Sequence, residues 1–411
     1  MYHRPGKRDG QATAGEMVAM STGLTRVHWD EFRRLAPMIP PPTQDYPQGA
    51  LGLYRGQTVD FILAHAHVDS SGKPGVQYVL LSADVLRQVA GRVSLLQSLT
   101  VDAPPTTKTL TPLQLRAPAA PDVDSQVDDL SSFTFMLDDN FAVIEGLLAG
   151  LIQGVPLAII NGPGGLAEQL KFVQGLLTLL PVPARFGVTF ATYARRLDVA
   201  PVQIAFMATN VPPEGALTYD WQNRTLTNPP TEKDPYSRFI MQQLRLDPTV
   251  AVEQMVALTR TAGWRMQRNE PLVQALGWAA KRVALDAAVM EGQPADSEMV
   301  AAVLREDPTL SKELRARYAR HLLAFTLALD DPEPAGIIAA QARNDDGVAD
   351  GVLEMLDDSI GDGKGLLVYR LVEQWIASPE GPEGFTWRRR AYAAASAYLQ
   401  TLVAAGNIEA T

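Results

Sequence analysis

The chain has no cysteine and only five histidines in 411 residues. The first absence removes disulfides, thiolate zinc sites and cysteine nucleophiles together. It fits a reducing compartment, and the cytoplasm is the expected location. No stretch offers the roughly 18 uncharged apolar residues of a membrane-spanning helix. The nearest, 141–160, carries Glu145 and Gln153 and is broken by Gly150, Gly154 and Pro156. The polar N-terminal segment lacks the apolar core, about 7–15 residues long, of a secretory leader. Met17 and Met20 stand inside it as alternative starts. Basic character is scarce as well. Net charge is −10 and the longest basic run is Arg388-Arg389-Arg390, whereas a nucleic-acid surface shows as a basic domain or stripe. The expected partner is therefore a protein, with no nucleic acid and no membrane span.

What is present is globular. Hydrophobic residues make up 46% and charged residues 20%, the balance of a chain that buries a core. At about 100–200 residues per domain, two or three domains follow. Residues 1–26 read as a flexible tail. Residues 27–101 read as an N-terminal α/β domain, with strands at 58–69 and 76–82 around a Ser/Gly/Pro turn. Asp84 is placed to cap a short helix ended by Gly91. Five prolines between 102 and 130 mark a linker or long loop. Residues 131–233 read as a middle α/β domain. It has a helix at 138–153, an apolar strand at 156–162, a helix at 166–180, strands at 184–194 and 202–209, and a short strand near 216–219. From 234 to 411 strand signals nearly vanish. Asp-Pro pairs at 234–235, 247–248, 307–308 and 331–332 look like helix starts, because Asp caps well and Pro suits the first helical position. The expected fold is an α+β N-terminal half, a mixed sheet with covering helices, followed by an all-α bundle or irregular helical array.

Three patterns carry candidate chemistry. His65-Ala66-His67-Val68-Asp69 follows an apolar run as the HxHxD motif of metallo-β-lactamase-like hydrolases does. Strand alternation puts His65, His67 and Asp69 on one face, where they form half of a metal site. Ser70 stands where that family has a further histidine, and only His321 lies downstream. The bland alternative is a strand whose polar face meets solvent or a partner. Asn161, Gly162, Gly164 and Gly165 form a glycine-rich turn between a strand and a helix, a place where anions are cradled. The full phosphate-loop pattern is missing, and Pro163 removes a donor; a tight strand-to-helix turn is the competing reading. A second such stretch, Gly361-Asp362-Gly363-Lys364-Gly365, joins two helices. Near the C-terminus, Trp387, Arg388, Arg389 and Tyr392 are of the types enriched in binding hot spots, set against a helix with a buried aromatic face. No G-x-S-x-G elbow is present, and acidic pairs such as Asp138-Asp139 and Asp345-Asp346 read as helix ends.

Residues 145–195 carry one resemblance. An apolar helix, a strand and a second helix lead to Leu179-Leu180-Pro181, then Arg185 and Thr189-Phe190-Ala191-Thr192-Tyr193. This is similar to the middle domain of bacterial GTPase-associated proteins, in which Leu-Leu-Pro precedes an arginine and a strand reading roughly TFSTY. The hairpin Phe61 to His67 with Val76 to Leu81 resembles their N-terminal domain. The likeness covers about residues 50–210. Ala191 replaces the usual serine, and the proline-rich stretch is a departure. The resemblance implies work beside a small GTPase in a bacterial signalling or conflict system, and it transfers no catalytic residue. The reading is a non-enzymatic accessory or adaptor protein without a cofactor. The alternatives are a metal-dependent hydrolase built on His65, His67 and Asp69, and a nucleotide-binding module at 161–165.

Overall fold

In the computed structural model, the residues described are 2–8, 11–39, 49–68, 72–100, 108–110, 122–197, 202–232, 234–329 and 335–406. The chain begins with a hairpin, β1 (Tyr2–Arg8) and β2 (Gln11–Ser21), and then α1 (Arg26–Leu35). A meander follows: β3 (Ala50–Arg55), β4 (Phe61–Val68) and β5 (Pro74–Leu81). Two short helices, α2 (Ala83–Val89) and α3 (Val93–Ser98), precede a two-residue β6 (Thr109–Leu110). Helices α4 (Val123–Met136) and α5 (Phe141–Ile152) lead into β7 (Leu157–Ile160), α6 (Leu166–Thr178), the single turn α7 (Val182–Arg185), β8 (Phe190–Ala194) and β9 (Ile204–Met207). A second hairpin, β10 (Leu217–Asp220) and β11 (Thr225–Thr227), ends the strands.

The eleven strands among the described residues join one sheet in the order β11-β10-β7-β9-β8-β3-β4-β5-β1-β2-β6. β10, β7, β9 and β8 run parallel, while β3, β4 and β5 pair antiparallel. β7 is apolar throughout and buried at every position, as a strand covered on both faces must be. On the meander, alternation divides the side chains. Tyr54, Ile62, Ala64 and Tyr78 pack with Phe32 and Leu35 of α1, and the Phe32 and Tyr78 rings stack at 4.5 Å. Leu53 and Phe190, which are cross-strand partners, share a small void with Leu86, Val89, Leu96 and Leu177.

The sheet redraws the expected organisation. Residues 27–101 and 131–233 are not separate sheets, because β3 pairs with β8 at Gly52–Ala191 and Leu53–Phe190. The polar stretch 1–26 holds a hairpin and the start of a helix in place of a tail. Its backbone extends the edge at β5, and edge pairing needs unpaired N–H and C=O groups rather than an apolar pattern. The last part of the 102–130 linker is helical, since Asp122 accepts from Ser125 N at 2.7 Å and starts α4. Ser82, not Asp84, caps α2. The first part of the 184–194 segment is α7, with Pro183 in its first turn, where a missing N–H costs nothing.

From Pro235 the chain is helical: α8 (Pro235–Leu246), α9 (Pro248–Gln267), α10 (Leu272–Glu291), α11 (Ser297–Glu306), α12 (Lys312–Leu329), α13 (Ala335–Asn344), α14 (Asp346–Gly361), α15 (Gly365–Ala377) and α16 (Phe385–Ala404). The predicted α+β half followed by helices is therefore what the structure has. Two compact units divide at Ala280–Lys281, inside α10 rather than at the first helix start. Asp234 and Asp247 do cap α8 and α9, accepting from Ser237 N at 2.8 Å and Thr249 N at 2.7 Å. Asp307 behaves otherwise. It accepts from the Thr309 amide and hydroxyl at 2.8 and 2.6 Å, a local turn after α11, and α12 begins only at Lys312. Asp331-Pro332 lies outside the described residues.

Candidate interaction surface

His65 and His67 point to the same face of β4, their rings 5.0 Å apart and nearly parallel. Both are buried. The sequence suggests a polar face meeting solvent or a partner, but Phe61 to His67 are buried at every position and only Val68 of β4 is exposed, so the histidine face is covered within the chain itself. Asp69 lies outside the described residues. Among the described residues, no group of three His, Asp or Glu is placed to hold a metal ion.

The turn at 161–165 is braced by side chains of neighbouring elements. Asn161 adopts a left-handed backbone, φ 53°, and donates from Nδ2 to Asp220 Oδ1 at 3.0 Å. Asp220 also accepts from the amides of Gln222 and Asn223 at 3.1 Å each and from Asn223 Nδ2 at 2.7 Å. The Asn161 hydrogen bond leads these in holding its carboxyl below the usual carboxylate range. Gln169 Nε2 donates to the Pro163 carbonyl at 2.8 Å, and Glu168 sits in the first turn of α6. Gly162 and Gly164 lie in this turn and Gly165 is the N-cap of α6. Two carboxylates beside the turn oppose a phosphate there.

Arg185 has a structural role. Three successive carbonyls at the end of α6 each receive a side-chain donor. Arg185 Nη2 reaches Thr178 O at 3.3 Å, Tyr236 Oη reaches Leu179 O at 2.6 Å, and Arg185 Nε reaches Leu180 O at 2.6 Å. Helix C-termini leave such carbonyls without intrahelical partners. Nη2 also donates to Gln126 Oε1 of α4 at 2.8 Å. Burial pushes the guanidinium down to about 10.

The most open candidate is α16. Trp387, Ala391 and Ala394 are buried on its inner face, Trp387 edge-on to Trp375 of α15. Arg390 forks onto Asp357 of α14, with both nitrogen–oxygen distances 2.5 Å. Gly365 lets α15 approach: a Cβ there would stand 2.7 Å from the Ala394 carbonyl oxygen. The outer face carries Phe385, Tyr392, Leu399 and Val403, exposed by 79, 75, 47 and 61%. At 100° per residue these four fall on one narrow stripe. Arg388 and Arg389 flank it, exposed and without a carboxylate partner among the described residues. Of the hot-spot residues read from the sequence, Arg388, Arg389 and Tyr392 face outward and Trp387 does not. The segment read from the sequence ran from Phe385 to Tyr392, and sequence reasoning missed Leu399 and Val403. Their signal was a seven-residue spacing, 385, 392, 399, which a search for aromatic clusters passes over.

Among the described residues no helix is long and apolar enough to cross a membrane. No family model matches the chain, and no curated protein matches it.

Proposed function

We propose that this chain is a non-enzymatic accessory protein that binds another protein through the outer face of α16. One observation carries the reading: four large apolar side chains lie exposed on a single stripe, next to two exposed cations without acidic partners among the described residues. Exposed apolar surface rimmed by polar groups marks interaction sites, and an amphipathic helix face is a recurring docking element. Aromatic residues and arginine are the types that dominate interface energetics. The resemblance of residues 179–193 to GTPase-associated proteins makes a small GTPase of a bacterial cytoplasm the first partner to test.

The test is site-specific photo-crosslinking in the native host. A photoreactive residue at Tyr392 should give discrete adducts, and one at Gln374, exposed on α15, should not. No adduct at either position, or the same adducts at both, removes the reading.

A further inference from the structure

The outer face of α16 has a register that also fits itself. Phe385, Tyr392 and Leu399 recur every seven residues, and so do Arg389, Ser396 and Val403. The two rows alternate at spacings of four and three, the seam of a two-helix coiled coil. We infer that a second copy of this chain occupies this face, with two α16 helices packed antiparallel about a two-fold axis at Ala394. The inference rests on the reading of α16 as an interaction surface and names the second copy as its occupant when no other protein is bound there.

The antiparallel direction follows from the side chains. It sets Phe385 against Val403 of the second copy, an apolar pair. It sets Tyr392 against Ser396 of the second copy, hydroxyl facing hydroxyl. Arg389 lies along Leu399 of the second copy, stem on apolar surface and head in water. Parallel pairing would put Arg389 on Arg389 inside the seam, a like-charge contact that destabilises. Antiparallel pairing moves the two arginines about 15 Å apart along the axis, ten residues at 1.5 Å each, beyond the screening length of about 8–10 Å. It also lays Arg388 and Arg389 near the C-terminal turn of the other helix, where the carbonyl ends favour cations. The chain carries −10 overall, yet residues 385–404 contain no Asp or Glu. Two acidic molecules can therefore meet on this helix without carboxylates facing each other. A strip about 30 Å long and 10 Å wide on each copy gives a total of about 600 Å² buried, below the roughly 1,200 Å² of a stable complex. The dimer is thus reversible, and covalent trapping is the suitable readout.

The absence of cysteine makes that readout clean. Single variants Phe385→Cys and Val403→Cys, in the full chain, are oxidised alone and as a mixture. Expected is a disulfide-linked dimer in the mixture and none with either variant alone. Adding Tyr392→Asp to both should lower the yield more than about tenfold, as loss of a hot spot of 2 kcal/mol or more does. A mixture of Thr386→Cys and Thr401→Cys, off the stripe, gives the background. Self-trapping by each variant alone signals parallel pairing and overturns the inference. So does a mixture no better than background. If self-trapping fails while Tyr392 photo-adducts to a different protein persist, the inference falls and the binding reading stands. If Tyr392 gives no adducts of any kind, both fall.

Discussion

Trp387 stands edge-on to Trp375, ring centroids 6.0 Å apart and planes at 70°. That pair decides which way α16 faces. With Trp387 locked inward, the residues seven apart from Phe385 must turn out. Two aromatic residues five positions apart therefore do opposite work. Trp387→Ala should cost about 3–5 kcal/mol, the range for truncating a buried large aromatic, seen as a lower denaturant midpoint. Tyr392→Ala should change stability by no more than about 0.5 kcal/mol, as exposed substitutions do, while abolishing the crosslinks made from this face. Equal destabilisation by both would mean that Tyr392 is packed, not presented.

Glu31 fixes the β3–β4 turn from α1. Its carboxylate accepts from the amides of Gln57 and Thr58 and from the Thr58 hydroxyl. Burial alone would raise its carboxyl, but these hydrogen bonds and the nearby Arg34 charge outweigh it and hold it below the ordinary value. A carboxyl depressed in the folded state adds stability that is present above its unfolded value, about 4.3, and is lost as pH falls through the folded one. Wild-type stability should therefore drop more steeply below about pH 4.3 than that of Glu31→Gln. At neutral pH the variant should be the weaker of the two. Parallel acid-unfolding curves would remove Glu31 as the cause.

Much of the fold was legible because periodicity reports what local chain segments bury. The alternation through Phe61–Val68 and the apolar run Leu157–Ile160 became strands where expected. Asp234 and Asp247 started helices as their residue types require. What stayed hidden was long-range. Nothing near Gly52 announces that it pairs with Ala191, so one sheet read as two domains. Nothing in 1–26 announces an edge hairpin, because its pairing uses backbone groups alone. On α16 the sequence offers apolar residues on two faces, Trp387 with Ala391 and Phe385 with Tyr392. Only tertiary packing says which face is covered.

Arg185 is buried at the end of α7, and its contacts give it a local task. It holds the carbonyl of Thr178 at the end of α6 and that of Leu180 just beyond it, and reaches Gln126 on α4. Arg185→Ala should cost about 2–4 kcal/mol, since it strands two buried carbonyls at roughly 1–3 kcal/mol per unsatisfied group, partly relieved by relaxation. Arg185→Lys should not restore stability, because an ammonium cannot serve three acceptors set out for a planar fork. Urea unfolding of both variants checks this. Full rescue by lysine would show that charge, not fork geometry, is what α6 needs.

The glycines of Gly361-Asp362-Gly363-Lys364-Gly365 separate a packing role from a phosphate-binding one. The stretch connects α14 to α15, and Lys364 Nζ reaches the Leu327 carbonyl at 3.5 Å rather than an open cradle. At Gly365 a Cβ would meet Ala394 O at 2.7 Å and Tyr398 N at 3.1 Å, both backbone atoms of α16. Neither can step aside without moving the helix. At Gly361 a Cβ would meet nothing within 4 Å, and its backbone is not left-handed. Gly365→Ala should therefore destabilise by about 1–3 kcal/mol, the usual cost of overpacking. It should also weaken any binding by α16, since Ala394 lies at the middle of that helix. Gly361→Ala should stabilise by about 0.4–1 kcal/mol by restricting the unfolded chain. Thermal melts of the two variants read both signs directly. If both variants melted like the wild type while losing a shift induced by inorganic phosphate, the glycines would be serving a ligand instead of the contact between α15 and α16.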